Sequence, residues 1–248
     1  MIYIKSKSEI ELMRVAGRVT AEALMLIQEA IKPGITTSEL DKIAEEHIIK
    51  SGCIPAFKGL YGFPATICAS VNEEVVHGIP GLRRIEEGDI ISIDTGAVYK
   101  GYNGDAARTF GVGKISNEAQ RLIDVTKESF FEGIKYALDG KRLSDISNAI
   151  QVYVEKNGFS VVREYVGHGI GRKMHEDPQI PNYGPPGRGP RIKKGMCFAI
   201  EPMVNAGKYH VKTLDNNWTV VTIDGSLSAH YENTIVITES EPEILTIL

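Results

Sequence analysis

Between residues 8 and 31 apolar side chains recur at helical spacing among Glu, Ala, Leu, Met and Arg, and Pro33-Gly34 stops the run. Thr37-Ser38 can cap a second helix through about Lys50, which ends at Ser51-Gly52. The same order returns later. Residues 117–138 predict a helix stopped by Asp139-Gly140, and Ser144 can cap a fourth that ends at Asn157-Gly158. The runs 65–71, 89–98, 105–112, 160–166, 196–204, 218–224 and 232–238 are rich in Val, Ile, Thr and aromatic residues and predict strands. Residues 176–192, dense in Pro and Gly, predict a loop.

The two helix pairs are offset by 106 residues at Gly34/Gly140, Ser38/Ser144 and Gly52/Gly158. Two strands extend the parallel. Glu86-Glu87-Gly88 leads through an apolar run to Ser92-Ile93-Asp94, and Lys193-Lys194-Gly195 leads through another to Ala199-Ile200-Glu201. One such coincidence can arise by chance, but helix pairs followed by matched carboxylate strands favour a duplicated fold. The expectation is an α/β (α+β) protein with a pseudo-two-fold repeat, a helix pair plus antiparallel sheet in each half. Residues 1–248 then form a single domain with halves of about 1–113 and 114–248.

Composition narrows the class. The chain has 248 residues, 42 % apolar and 24 % charged, which is ordinary globular usage. A net charge of −4 argues against broad nucleic-acid binding. No run approaches the ~18 apolar residues of a membrane span, and the start carries no secretory or transit pattern. Cys53, Cys68 and Cys197 form no C-x-x-C pair and no disulfide framework, so a reducing cytoplasm is expected. Gly111-Val112-Gly113 lacks the rest of a dinucleotide fingerprint and reads as a turn.

A carboxylate that closes an apolar strand is costly to bury unless something pairs with it or binds it. Five residues form a candidate metal set: Asp94, Asp105, His168, Glu201 and Glu232. Asp94 and Asp105 lie eleven residues apart around a Gly-containing turn, so a hairpin can bring them side by side. His168 is flanked by Gly167 and Gly169, which let other groups approach. Taken singly, a strand-end Asp is most often a cap, and a Gly-flanked His most often a surface turn. Those explanations do not account for all five. Four carboxylates and one imidazole form a hard set suited to Mn, Fe, Co or Zn. One divalent ion would leave a charge of about −2 and two would neutralise it, which permits a two-metal clamp. His77 and His175 lie in Gly/Pro-flanked segments of the kind that line sites, where an imidazole can donate to an oxyanion. His47, His210 and His230 lack that context and are expected on the surface or behind the ligands.

The motifs Val71–Pro80, Ile93–Gly96 with Gly104–Thr109, Tyr165–Pro178, Phe198–Pro202 and Ser228–Thr234 together resemble type I methionine aminopeptidase over almost the whole chain. The resemblance implies the pita-bread fold, a central curved sheet with helices outside. It implies that Asp94, Asp105, His168, Glu201 and Glu232 hold two divalent ions, with Asp105 and Glu232 bridging, and that His77 and His175 contact substrate. The implied reaction removes the initiator methionine from nascent proteins and peptides with a small second residue, through a hydroxide activated by the two metals. Glu201 would carry the proton, His175 would steady the oxyanion and His77 would meet the scissile nitrogen.

An apolar, soft pocket for the methionine would draw on Phe63, Cys68, Met203 and Trp218, with Leu60 and Phe57 as weaker candidates. Phe57, Leu60, Phe63 and Met174 depart from the family's usual residues, though they keep the region apolar. The 25 residues between His175 and Glu201 leave no room for a type II insertion, and no zinc-binding extension precedes residue 1, a bacterial pattern. Asn72, Glu74 and Ser228 align with a structural monovalent-cation site. A cytoplasmic monomer is expected, with no membrane or specific nucleic-acid partner. The basic run Arg188–Lys194 is a candidate for ribosome contact, a solvated loop being the plainer explanation. Two other functions compete: an Xaa-Pro aminopeptidase, whose relatives usually carry a long N-terminal domain, and a non-catalytic pita-bread module, against which the intact ligand set argues.

Overall fold

The computed structural model describes residues 1–248. The first half runs α1 (Lys7–Ala30), α2 (Thr37–Lys50), β1 (Ile54–Pro55), a single 3-10 turn at Leu60–Gly62, β2 (Ile67–Val71), β3 (Glu74–Val76), β4 (Ile90–Tyr99) and β5 (Tyr102–Gly111). The second runs α3 (Asn117–Ile134), α4 (Leu143–Lys156), β6 (Ser160–Val161), β7 (Gly167–Gly169), β8 (Glu176–Ile180), β9 (Cys197–Ile200) and β10 (Met203–Asn205). It closes with β11 (Val211–Thr213), β12 (Val220–Thr222), β13 (Ser228–His230), β14 (Asn233–Val236) and β15 (Glu243–Ile244).

The helix starts follow local hydrogen-bond chemistry. Ser6 and Glu9 close a capping box on α1. Thr36, one residue before the expected Thr37-Ser38, caps α2: its Oγ1 accepts from the Glu39 N–H at 3.2 Å and its N–H donates to the Glu39 carboxylate at 2.8 Å. Ser144 does not cap α4. The Asp145 carboxylate accepts from the Arg142 N–H at 3.0 Å, and the Ser144 hydroxyl accepts from the Arg188 N–H at 2.7 Å. The predicted strand 196–204 is two strands, because Pro202 has no N–H for a ladder and the chain changes sheets at Glu201-Pro202. Only Ser160–Val161 of 160–166 pairs; Arg163 and Glu164 face solvent. Part of the expected loop 176–192 is β8, which pairs with β7.

In the first half β4 pairs with β5 along its whole length and also with β1 and β2. Val19, Leu24 and Ile27 of α1 and Leu40 and Ile48 of α2 bury against Ile67, Ile91 and Ile93 of that sheet. In the second half β9 lies between β7 and β14. Leu122 and Phe130 of α3 and Ile146 and Ile150 of α4 bury against Phe198, Ile200 and Ile235. These contacts remove large apolar surfaces from water, at ~25 cal/mol per Å².

The halves are stitched where β5 meets β14. The Thr234 hydroxyl accepts from the Asp105 N–H and donates to its carbonyl, both at 2.9 Å. The Glu232 N–H donates to the Ala107 carbonyl at 2.9 Å, and the Thr109 hydroxyl donates to the His230 carbonyl at 2.9 Å. Gly104 lets α1 lie against this seam: a Cβ there would come within 2.6 Å of the Gly17 backbone nitrogen. No helix is long and apolar enough to cross a membrane.

Candidate metal centre

Strand parity decides which side chains can meet. In the β4–β5 register Asp105 stands opposite Gly96, and Asp94 opposite Ala107. Residues two apart on a strand share a face, so Asp94 and Asp105 are diagonal neighbours on one surface. In the other sheet His168 stands opposite Ala199 and Asn233 opposite Ile200. Continuing that ladder by one residue sets Glu232 across from Glu201, on the same face as His168. The stitched seam turns the two faces towards each other. One cavity of about 300 Å³ is lined by Asp94, Asp105, His168, Glu201, Glu232, His77 and His175. The same cavity takes in Phe63, Cys68, Met203 and Trp218, together with Phe57 and Leu60.

No lysine or arginine forms an ion pair with these carboxylates; of the basic side chains, only histidine nitrogens come within 4 Å. His168 Nε2 lies 3.4 Å from Glu201 Oε1 and 3.8 Å from Asp105 Oδ2. Its Nδ1 lies 2.9 Å from its neighbour's carbonyl, Gly169 O. Donation there leaves Nε2 with a free lone pair, the form a metal ligand needs. Burial pushes the Asp94, Glu201 and Glu232 carboxyls well above the usual range, and the surrounding carboxylates raise them further. Burial takes Asp105 up to about 7. The buried oxygens Asp94 Oδ1, Asp105 Oδ1 and Glu232 Oε1 have no hydrogen-bond partner. Ligand atoms of Asp105, His168 and Glu232 all lie within 4.8 Å of one another. Orphaned, mutually repelling carboxylates beside a lone imidazole pair fit divalent cations.

Of the two places expected for His230, the surface or behind the ligands, this residue takes the second. It is buried, with Nε2 unpartnered, 3.8 Å from Glu232 Oε2 and 3.9 Å from Glu201 Oε2. Burial lowers its pKa to about 3, so the ring is neutral and lies beside the ligands. The i, i+2 spacing to Glu232 was the signal for this placement. His47 instead pairs with Glu22 at 3.1 Å, and His210 stacks on Tyr209 near the surface. Two aromatic residues escaped the sequence reading. Tyr61, exposed and with φ 51°, stacks on His175 at 5.8 Å between centroids. Tyr165 meets His77 edge-on at 5.6 Å.

His77 has a left-handed φ of 61°, a conformation that costs a non-glycine residue on the order of 1 kcal/mol. The Trp218 and Tyr165 rings flank its side chain. Burial lowers its pKa to about 4, and burial also lowers that of His175, so both rings are neutral near pH 7. At the aligned cation position the Ser228 N–H donates to the Asn72 carbonyl at 2.9 Å. The Glu74 carboxylate is taken by the Val71 N–H and by Arg83. In the basic run Arg188, Arg191, Lys193 and Lys194 are exposed; Arg191 bonds the Gly140 carbonyl and Lys194 pairs with Glu239.

These shifts set the pH dependence of chelator-stripped protein. The carboxyl pKa values are raised on folding, so their contribution is present below about 4 and declines as pH rises above that, for Asp105 until its folded pKa of about 7 and for Asp94, Glu201 and Glu232 in the same direction. His77, His168 and His230 are lowered from 6.5 to about 4, 4 and 3, so their contribution is present above 6.5 and is lost as pH falls towards those values. Between about pH 4 and 6.5 the two contributions oppose each other, and above 6.5 only the carboxyl loss remains, so metal-free protein should lose Tm from pH 6.5 to pH 8, and Mn or Co should raise Tm more at pH 8 than at pH 6. Calorimetry showing a metal-free Tm that climbs steadily to pH 8 would contradict the buried-carboxylate account.

The model of metallopeptidase family M24 matches residues 11–239. A methionine aminopeptidase of Clostridium perfringens is 62 % identical over 248 residues, covering all of both chains. The crystal structure of a methionine aminopeptidase from Thermotoga maritima superposes with a TM-score of 0.99 at 50 % identity, again over all of both chains. A prolidase from Pyrococcus furiosus superposes with a TM-score of 0.79 at 25 % identity, and the match covers 99 % of this chain but 65 % of the prolidase.

Proposed function

The chain belongs to metallopeptidase family M24, among its type I methionine aminopeptidases, and from that premise we propose how its residues remove an N-terminal methionine. Residues 1–248 act as one catalytic domain in which both halves supply ligands: Asp94 and Asp105 from the first, His168, Glu201 and Glu232 from the second. Together they hold two divalent ions, Co, Mn, Fe or Zn. The observation that carries this is the set of buried, unpartnered oxygens of Asp94, Asp105 and Glu232 in the cavity that His168 and Glu201 also line. Such ions, when bound, make water acidic near neutral pH and polarise a carbonyl.

The side chains divide the remaining work. Glu201, at the end of β9 and facing the cavity, takes the proton of the attacking water and passes it to the leaving nitrogen. Its carboxyl pKa, raised by burial, makes it a stronger base than a surface glutamate. His175 is neutral, so its ring N–H donates a hydrogen bond to the carbonyl oxygen as negative charge develops there. His77, also neutral, meets the scissile amide. Phe63, Cys68, Met203 and Trp218 wall the methionine side chain; Phe63 meets Trp218 edge-on at 5.1 Å. Held at its amine and carbonyl, the substrate must pass its second side chain along His77 and the 57–63 segment.

That rim predicts specificity by overlap, which discriminates more steeply than the ~1–3 kcal/mol of a methylene in an apolar pocket. Met-Ala-Ser should exceed Met-Leu-Ser in kcat/KM by at least ~100-fold, about 2.7 kcal/mol. Equal values would leave a general aminopeptidase, and faster turnover of Xaa-Pro peptides would favour the prolidase-like alternative.

A further inference from the structure

Nothing in the protein hydrogen-bonds the ring of His175; it is held by contact alone, stacked on Tyr61 and edge-on to His168 at 4.5 Å. Its aim therefore depends on the backbone of residues 171–176. We propose that the Lys5–Glu176 ion pair is the positioning device for His175, a role that rests on the oxyanion contact assigned to that histidine above.

Lys5 Nζ lies 2.7 Å from Glu176 Oε2, and each side chain is only 5 % exposed. No other Lys or Arg pair with a carboxylate in the protein is buried on both sides to this degree. Buried ion pairs add little net stability, because desolvation offsets their attraction, so fixing one arrangement is the role to test for this pair. The second oxygen, Glu176 Oε1, accepts from the Lys173 N–H at 3.2 Å. One carboxylate thus closes the turn that carries His175 and fastens it to the residue before the α1 cap. Lys5 is itself anchored: its N–H donates to the Gly195 carbonyl at 2.8 Å. The last glycine of the Gly167–Gly171 motif has its reason here, since a Cβ on Gly171 would come within 2.6 Å of Lys5 Cε. From the other side the Asn103 N–H and side-chain amide both donate to the Gly171 carbonyl at 2.9 Å. The turn is clamped at both ends and the histidine stands between the clamps.

Replacing both partners by methionine removes the charges together and avoids an unpaired buried ion. In the Mn-loaded enzyme, Lys5→Met/Glu176→Met should lower kcat on Met-Ala-Ser ~10- to 100-fold, the scale of a misplacement near 1 Å. KM should change less than about threefold, and two ions should still bind by titration calorimetry, because none of the metal candidates is touched. In the His175→Ala background the same pair of substitutions should cost nothing further. The His175 ring signals in NMR spectra of histidine-labelled protein should shift or broaden. If the double variant does not fold, Glu176→Gln, which keeps its shape and the Lys173 bond, should give a smaller loss in the same direction with the same epistasis. Unchanged kcat or unchanged ring signals, with His175→Ala itself crippled, would overturn the positioning role alone. A His175→Ala enzyme with normal kcat would overturn both this role and the oxyanion contact beneath it.

Discussion

Glu201→Gln should lower kcat on Met-Ala-Ser by at least ~1,000-fold, about 4 kcal/mol of barrier, while the protein stays folded. Glutamine keeps the volume and removes both the ligand charge and the proton-carrying group proposed for Glu201. The fold should survive because the native carboxylate is buried among others that raise its pKa, so losing a negative charge there relieves repulsion. Titration calorimetry separates the two losses. A variant that still binds two ions yet is inactive has lost the proton carrier; one that binds a single ion has lost a ligand first. Activity within about tenfold of the parent would show that another group is the base. The neutral His230, 3.9 Å from Glu201 Oε2, would be the next to test.

Asp105→Asn should act in opposite directions on stability and catalysis. The carboxyl sits where β5 is stitched to β14, with Oδ1 unpartnered and its pKa pushed to about 7 by burial. At pH 8 the metal-free variant should be more stable than the metal-free parent by about 2–4 kcal/mol, since about three pH units of raised pKa are no longer opposed at ~1.36 kcal/mol each. At pH 4 the difference should vanish, because the parent's carboxyl is then protonated in the folded state. Loaded with Mn, the variant should lose at least ~100-fold in kcat/KM, about 2.7 kcal/mol, as one of the four carboxylates proposed to hold the ions is gone. Denaturant titrations of stripped protein at both pH values, beside assays of loaded protein, check the pair of effects. A variant less stable at pH 8 than its parent would mean that the Asp105 carboxylate holds the seam together. Such a trade is expected where a site is built from groups that repel until their ligand arrives.

Much of this was legible in the chain itself. The four long helices stand near where apolar periodicity placed them, because that signal acts along the helix itself, while the caps of α2 and α4 fell on Thr36 and Arg142 and α3 ended at Ile134, short of Asp139-Gly140. The candidate ligands were legible because a carboxylate that closes an apolar strand conflicts with burial unless something binds it, and two matched cases, Asp94 and Glu201, stand in order with Asp105, His168 and Glu232. The chain-switch at Pro202 was legible in principle, since a proline that cannot donate to a ladder ends a strand. What single-strand patterns could not decide was register. Strand parity tells which residues share a face, but only pairing across long sequence separations tells which faces meet. The seam between β5 and β14 put His230 beside Glu201 and Glu232, and a left-handed turn laid Tyr61 on His175. The Lys5–Glu176 pair spans most of the chain's first 176 residues and leaves no local trace, because a lysine and a glutamate read as surface residues until the fold buries both. The sequence determined the four long helices, most of the strands and which residues are candidates for the centre. The tertiary structure decided how those groups face one another, because their geometry is set by contacts between residues too distant in sequence for any local pattern to record.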